Sequence, residues 1–389
     1  MAVDAKVSEY LLELLRCALH DETPSDKPEE VSWQEVFLLA KRHSVSALAW
    51  QSVSRLPEPI DADVYEDWHN RNYMLINKCF NQEYELTQLS DAFEQAQIPY
   101  MPLKGSCLRD LYPEAYQREM SDLDIMVQEK DIAAASSIAQ TLGYSVEDGA
   151  SHHVELIKKP YMCLELHLNF VPVDFPYFEY YSQPWKFARA LDNSYRHVMT
   201  KEDYYVYMLT HAAKHYYWTG TGIRSVLDVY LYNRAYRNEL DLDYVMIQLE
   251  QLKLVDFAGQ IEALAEQWFD VNLNSSQIRQ NAAEMCHYIL NSATYGTKKN
   301  YYQNVVRGYI AKGKSLYEAK IAMYMHMVFL PLCEMKGIYP ILKKASVLLP
   351  FCWVARWIRI LIKKPGSVAA QYRRIADIEL YETHEDAER

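Results

Sequence analysis

The sequence predicts an α+β fold in which a small mixed sheet is embedded in a largely α-helical chain. Three observations carry this. Short, strand-like apolar runs bounded by Gly, Pro and polar connections lie within residues 98–170. On both sides of them apolar residues recur three or four apart over long stretches, the period of helices that bury one face. The 389 residues include only 11 glycines, and Gly-rich dinucleotide and P-loop signatures are absent.

Taken in order, residues 5–20 have helical periodicity and 21–30 form a Pro- and charge-rich linker. Ser32 stands at an N-cap position with Glu35 three residues on, a capping-box spacing, before a helix expected from Trp33 to Leu56. A longer helix is expected over about 63–96, so that 1–97 reads as a helical region docked on the core that follows. That core, over 98–185, reads as strand (99–104), helix (106–112), strand (122–128) and helix (130–142), with Gly143 as a stop signal. Residues 151–158 and 161–170 read as paired strands around Lys159-Pro160, and 172–184 as a Pro- and aromatic-rich connector. A helical region over 186–330 begins near Lys201, with turns near 272–276 and 296–300.

The C-terminal region, 331–389, differs in composition. Residues 336–376 carry Lys343, Lys344, Arg356, Arg359, Lys363, Lys364, Arg373 and Arg374 and no acidic residue. A basic, aromatic amphipathic stretch such as 345–375 can lie on an anionic membrane or dock a partner. It can equally bury its apolar face on the body and show its cations to solvent. Pro350 and two arginines argue against a spanning helix, and no apolar run reaches the ~20 residues a span requires.

The chemistry concentrates around Tyr100–Val127. Along a strand alternate side chains share a face, so Asp122 and Asp124 point one way while Leu123 and Ile125 point into the core. Two carboxylates aimed at one spot resist joint ionisation unless a cation lies between them. Glu165, flanked by Leu164 and Leu166, is costly to bury ionised without a partner. If its strand lies beside that of Asp124, three carboxylates can hold two metals about 3.5–4 Å apart. Hard oxygen ligands favour Mg²⁺ or Mn²⁺ over zinc. His167 shares a face with Glu165, as a neighbour of the site or as a satisfied half-buried histidine.

Gly105-Ser106, Asp122-x-Asp124 and the strand-borne Glu165 resemble the nucleotidyltransferase fold of the DNA polymerase β superfamily. Within it, Leu103-Lys104-Gly105, Tyr112-Pro113, Arg118 and the run Ser121–Val127 resemble a family of uncharacterised bacterial nucleotidyltransferases. The resemblance implies that Asp122 and Asp124 ligate the metals and that Glu165 completes one shell and helps to deprotonate an attacking hydroxyl. It implies that Gly105 and Ser106, with Lys104, hold the terminal phosphates of a nucleoside triphosphate at a helix N-terminus. Arg118 and His167 would stand behind the ligands. A following helical domain in such enzymes supplies cations to the phosphates. Lys214 and Arg224 are the candidates here, with Asp228, one turn from Arg224, to hold one of them in place. The alternative for Arg224 and Asp228 is an ordinary surface ion pair of little energetic value.

The net charge of −12 argues against a general affinity for nucleic acid, and so favours a small-molecule or protein hydroxyl over a long nucleic acid as acceptor. An RNA- or tRNA-end transferase using the basic C-terminal region is the alternative acceptor class, and a catalytically silent nucleotide-binding scaffold is the alternative to an enzyme. The seven cysteines are scattered, with no CxxC spacing. With no signal peptide evident, a reducing cytoplasm is the expected compartment.

Overall fold

The computed structural model describes residues 4–56, 60–150, 153–173, 175–270, 280–294, 302, 304–306, 309–310, 313–332, 335 and 338–363. Two compact units divide the chain: Met1–Tyr216 with Thr221–Tyr295, and Tyr217–Gly220 with Gly296–Arg389. The turns expected near 272–276 and 296–300, the strand start at 151–152 and the basic residues from 364 onwards lie outside the described residues.

In the first unit, helix α1 (Ala5–His20) is capped by Asp4, whose carboxylate accepts from the Lys6 backbone N–H at 2.8 Å. The stretch from Trp33 forms two helices, α2 (Trp33–Arg42) and α3 (Ser46–Val53), where periodicity alone predicts one. Ser44 between them takes φ 52, a left-handed conformation that no right-handed helix interior accommodates. Ser32 does stand at the N-cap of α2, but its side chain makes no capping hydrogen bond. The cap of α3 comes from far away. Glu119 accepts from the N–H groups of Ser46 and Ala47 at 2.7 and 3.2 Å, and Arg71 pairs with its other oxygen at 2.5 Å. Helix α4 then runs 34 residues, Ala62–Gln95.

The sheet has five strands: β1 (Tyr100–Pro102), β2 (Leu123–Val127), β3 (Ser145–Ala150), β4 (His153–Lys158) and β5 (Met162–His167), in the order β1-β2-β5-β4-β3. β2 and β5 pair in parallel; the other neighbours are antiparallel. The edge strand β3 is absent from the expectations drawn from sequence. Its Ser-Val-Glu-Asp-Gly-Ala run has little intrinsic strand preference and leaves Val146 half exposed, so pairing with β4 rather than propensity makes it a strand. Leu123, Ile125, Val127, Leu164 and Leu166 pack with Leu89 and Phe93 of α4 and with Ala135 and Ala139 of α6 (Ile132–Thr141). The side chains that alternate with them look the other way, toward α7 (Lys201–Trp218) and α8 (Ile223–Tyr236). Four-residue α5 (Gly105–Leu108) follows β1. Helices α9 (Leu242–Leu252), α10 (Val255–Phe269) and α11 (Gln280–Asn291) complete this unit, with α10 packed on α8 and α1.

In the second unit a Ser315–Glu318 capping box opens α12 (Leu316–Val328). Helix α13 (Leu349–Lys363) is fastened by the indole N–H groups of Trp353 and Trp357, which donate to the carbonyls of Leu330 and Val328 at 2.8 and 2.9 Å. Phe351, Val354 and Ile358 on the same helix are exposed. No described helix is long and apolar enough to cross a membrane.

Candidate active site

Parallel pairing of β2 with β5 sets Asp124 directly opposite Glu165. Asp122, two residues earlier, falls on the same side, and ligand oxygens of Asp122, Asp124 and Glu165 lie within 4.8 Å of one another. His167, two residues after Glu165, donates Nε2–H to Asp124 Oδ1 at 2.7 Å and lies 3.1 Å from Glu165 Oε2. His153 sits across from His167 on β4, and its ring also comes within 4.8 Å of Glu165 and His167 ligand atoms. Three carboxylates converging with no thiolate among them form a donor set of hard oxygens, which fits Mg²⁺ or Mn²⁺.

Lys104 enters this cluster as its cation. Its Nζ is 2.5 Å from Asp124 Oδ1 and 3.9 Å from Glu165 Oε2. The lysine backbone, at φ 48 and ψ −120, is in a region that costs a non-glycine residue on the order of 1–3 kcal/mol. The Tyr204 hydroxyl donates to the Lys104 carbonyl at 2.7 Å, and the Leu103 N–H donates to the Asp124 carbonyl at 2.9 Å, so both sides of the bend are held.

The electrostatics separate the two aspartates. Burial, with the Asp124 charge adding to it, pushes the Asp122 carboxyl above the ordinary range. Burial acts the same way on Asp124, but Lys104 and His167 outweigh it and hold that carboxyl below its ordinary range. Glu165 is also lowered, because the His167 hydrogen bond and Lys104 overcome its burial and the Asp124 charge.

Helices α7 and α8 form the facing wall of a cleft of about 320 Å³, within the range of small-molecule sites. Lys214 and Arg224 both line it. Burial, reinforced by the Lys104 charge, lowers Lys214 to about 8. Arg224 Nη1 donates to the Glu119 carbonyl at 2.6 Å. In sequence Asp228 is one turn from Arg224, yet the structure gives it a different partner. Arg118 donates Nε and Nη2 to the two Asp228 oxygens at 2.9 and 2.8 Å, and the Tyr112 hydroxyl adds a third bond at 2.7 Å. A fully buried guanidinium needs a two-oxygen acceptor, and Asp228 supplies it across 110 residues of chain. His211 and His215 place their Nε2 atoms 3.3 Å apart on this wall, both lowered by burial, and among the described residues no third ligand joins them.

Gly105 lines the cleft, and a Cβ there would lie 2.3 Å from Arg118 Nη1 and 2.5 Å from Met120 Sδ. The glycine is therefore required by the packing of Arg118 beneath it. Ser106 is not among the lining residues, and its buried hydroxyl has no hydrogen-bond partner among the described residues. Tyr204, Tyr207, Met120 and Glu119 are not foreseen from sequence. The Tyr204 hydroxyl reaches Lys104 across 100 residues and the Glu119 carboxylate reaches Ser46 across 73, so no local spacing marks these two.

The five-stranded mixed sheet carries an Asp-x-Asp strand in parallel with a Glu-bearing strand, the arrangement that the resemblance to nucleotidyltransferases implies. The chain belongs to the family described as uncharacterised nucleotidyltransferase, whose profile matches residues 29–270. No curated protein matches it. Two solved structures are similar over part of its length. A solution structure of the antibiotic-resistance factor ANT(2'')-Ia has TM-score 0.34 and 11% identity, covering 45% of this chain and 92% of that one. A crystal structure of ANT(2'')-Ia in complex with adenylyl-2''-tobramycin has TM-score 0.33 and 11% identity, covering 44% and 97%.

Proposed function

We propose that the protein is a Mg²⁺-dependent enzyme that transfers a nucleoside monophosphate from an NTP to a hydroxyl of a small-molecule or protein acceptor, releasing pyrophosphate, in a reducing cytoplasm. The observation that carries this is the Asp124–Glu165 register, which adds a third carboxylate to the Asp122/Asp124 pair in a cleft that Lys214 and Arg224 also line. Asp122, Asp124 and Glu165 would hold the divalent ion. Bound there, it would lower the pKa of the acceptor hydroxyl and neutralise charge on the leaving phosphates. In the reaction the acceptor oxygen bonds to the α-phosphorus, the bond from that phosphorus to the β-phosphate bridge breaks, and pyrophosphate departs. Glu165, ionised at neutral pH, takes the hydroxyl proton. Lys214 and Arg224 face the carboxylates across the cleft and orient the triphosphate, so that positioning and fixed charge supply most of the acceleration. The acidic net charge supports a compact acceptor over a long nucleic acid.

Thermal unfolding with each of the four NTPs, with and without Mg²⁺, tests the reading. A ligand at ~100 times its dissociation constant should add about 2.7 kcal/mol. A Mg²⁺-dependent shift for an NTP, absent in the Asp122→Asn/Asp124→Asn double variant, is the expected result. Nucleotide binding indifferent to Mg²⁺ and to those carboxylates would instead support a silent scaffold.

The lowered Lys214 gives a pH signature. The ammonium is present below about pH 8 and is lost above it, so NTP affinity should decline as pH rises from 7 to 9. Lys214→Ala should bind more weakly at pH 7 and lose that decline. A variant that keeps the wild-type slope would remove Lys214 from the phosphate site.

A further inference from the structure

We propose that Lys104 is a built-in cation that holds a metal seat of the carboxylate cluster until the nucleotide arrives, so that the divalent ion and the triphosphate enter together. This rests on the proposed nucleotidyl transfer and adds an order of events to it.

The physical starting point is charge. Asp122, Asp124 and Glu165 crowd three acidic groups within 4.8 Å, with Asp124 almost wholly buried. Such a cluster is unstable without positive charge. The Lys104 ammonium supplies it from the same chain, 2.5 Å from Asp124 and 3.9 Å from Glu165, two of the three carboxylates that would hold the metal. A divalent ion placed against Asp124 beside that ammonium meets strong repulsion at low effective dielectric. Metal alone therefore competes with a tethered cation whose local concentration never falls.

The backbone shows that this placement is enforced. Lys104 occupies a φ/ψ region suited to glycine. The neighbouring Gly105 is committed, since any side chain there would strike Arg118 and Met120. The Tyr204 hydroxyl pins the Lys104 carbonyl from α7. A strained residue fixed from two sides, with its ammonium among the ligands, is built to present charge at that point. Lys104 also lines the cleft, so its flexible stem can release Asp124 when a triphosphate offers its own oxygens. Nucleotide then removes the competitor and brings anionic ligands for the metal in one step.

The test is Mn²⁺ retained by the full chain in equilibrium dialysis, which counts the ion held with the protein and not the ion chelated by free ligand, with inorganic tripolyphosphate as a base-independent stand-in for an NTP. Wild-type protein should bind Mn²⁺ weakly alone and more tightly with tripolyphosphate. Lys104→Met should bind Mn²⁺ alone tighter than wild type by about tenfold or more, and Lys104→Arg, which keeps the charge, should stay weak. An affinity for Mn²⁺ alone that is equal or lower in Lys104→Met overturns the proposal. Should that variant not fold, wild-type protein that binds Mn²⁺ equally well with and without tripolyphosphate overturns it. In that last case the metal-site reading survives. If Mn²⁺ fails to bind under any of these conditions, both readings fall.

Discussion

Asp122→Asn and Asp124→Asn should each lower nucleotidyl transfer by about a thousandfold or more, the loss of several kcal/mol of metal-ion stabilisation, while moving stability in opposite directions. Asp122 is raised by burial and by the Asp124 charge, so its ionised form is a liability in the ligand-free fold at neutral pH. An amide of the same shape removes that liability, and Asp122→Asn should melt higher than wild type. Asp124 is the reverse case. Its carboxylate accepts from Lys104 and His167, and its lowered pKa means that it contributes stability above the ordinary carboxylate range, lost as pH falls through the folded value. Removing one partner of a buried pair usually costs about 3–5 kcal/mol. Lys104 also has Glu165 at 3.9 Å, so about 2 kcal/mol is the expected cost of Asp124→Asn. Urea unfolding of the two variants at pH 7 measures both signs. A destabilised Asp122→Asn would show that the two carboxylates do not strain one another.

The second large effect concerns the Arg118–Asp228 pair, which ties the segment before β2 to α8. Both side chains are under a tenth exposed, and three hydrogen bonds converge on the carboxylate. Arg118→Met should destabilise by about 3–5 kcal/mol, because it leaves Asp228 charged and buried with only the Tyr112 hydroxyl. Adding Asp228→Leu should recover much of that loss, since the penalty comes from the stranded charge and the two changes are coupled. Strictly additive losses in the double-mutant cycle would mean that the pair does not act as a clasp.

The strands that carry the site were legible because alternation is a local property. Leu123, Ile125, Leu164 and Leu166 announce a buried face, and the acidic residues between them must then look away from it. Gly143 as a helix stop was legible for the same reason, since its φ of 94 is one that glycine adopts without penalty. The break between α2 and α3 was not. Residues 43–45 offer no Gly or Pro, and the break is stabilised by Glu119, a cap 73 residues away. β3 was missed because its sequence has weak strand preference and acquires its form from β4.

The sequence by itself determined which residues could do the chemistry: two alternating aspartates, a glutamate on an apolar strand, a lysine and a glycine at a turn, and cations on later helices. It could do so because residue type and spacing of two or four fix which side chains share a face. Tertiary structure alone decided who meets whom. It put Glu165 opposite Asp124, gave Asp228 to Arg118 rather than to Arg224, and drove Lys104 into the carboxylate cluster. Each of those choices satisfies a buried charge with the partner nearest in space, and the chain carries no local record of that distance.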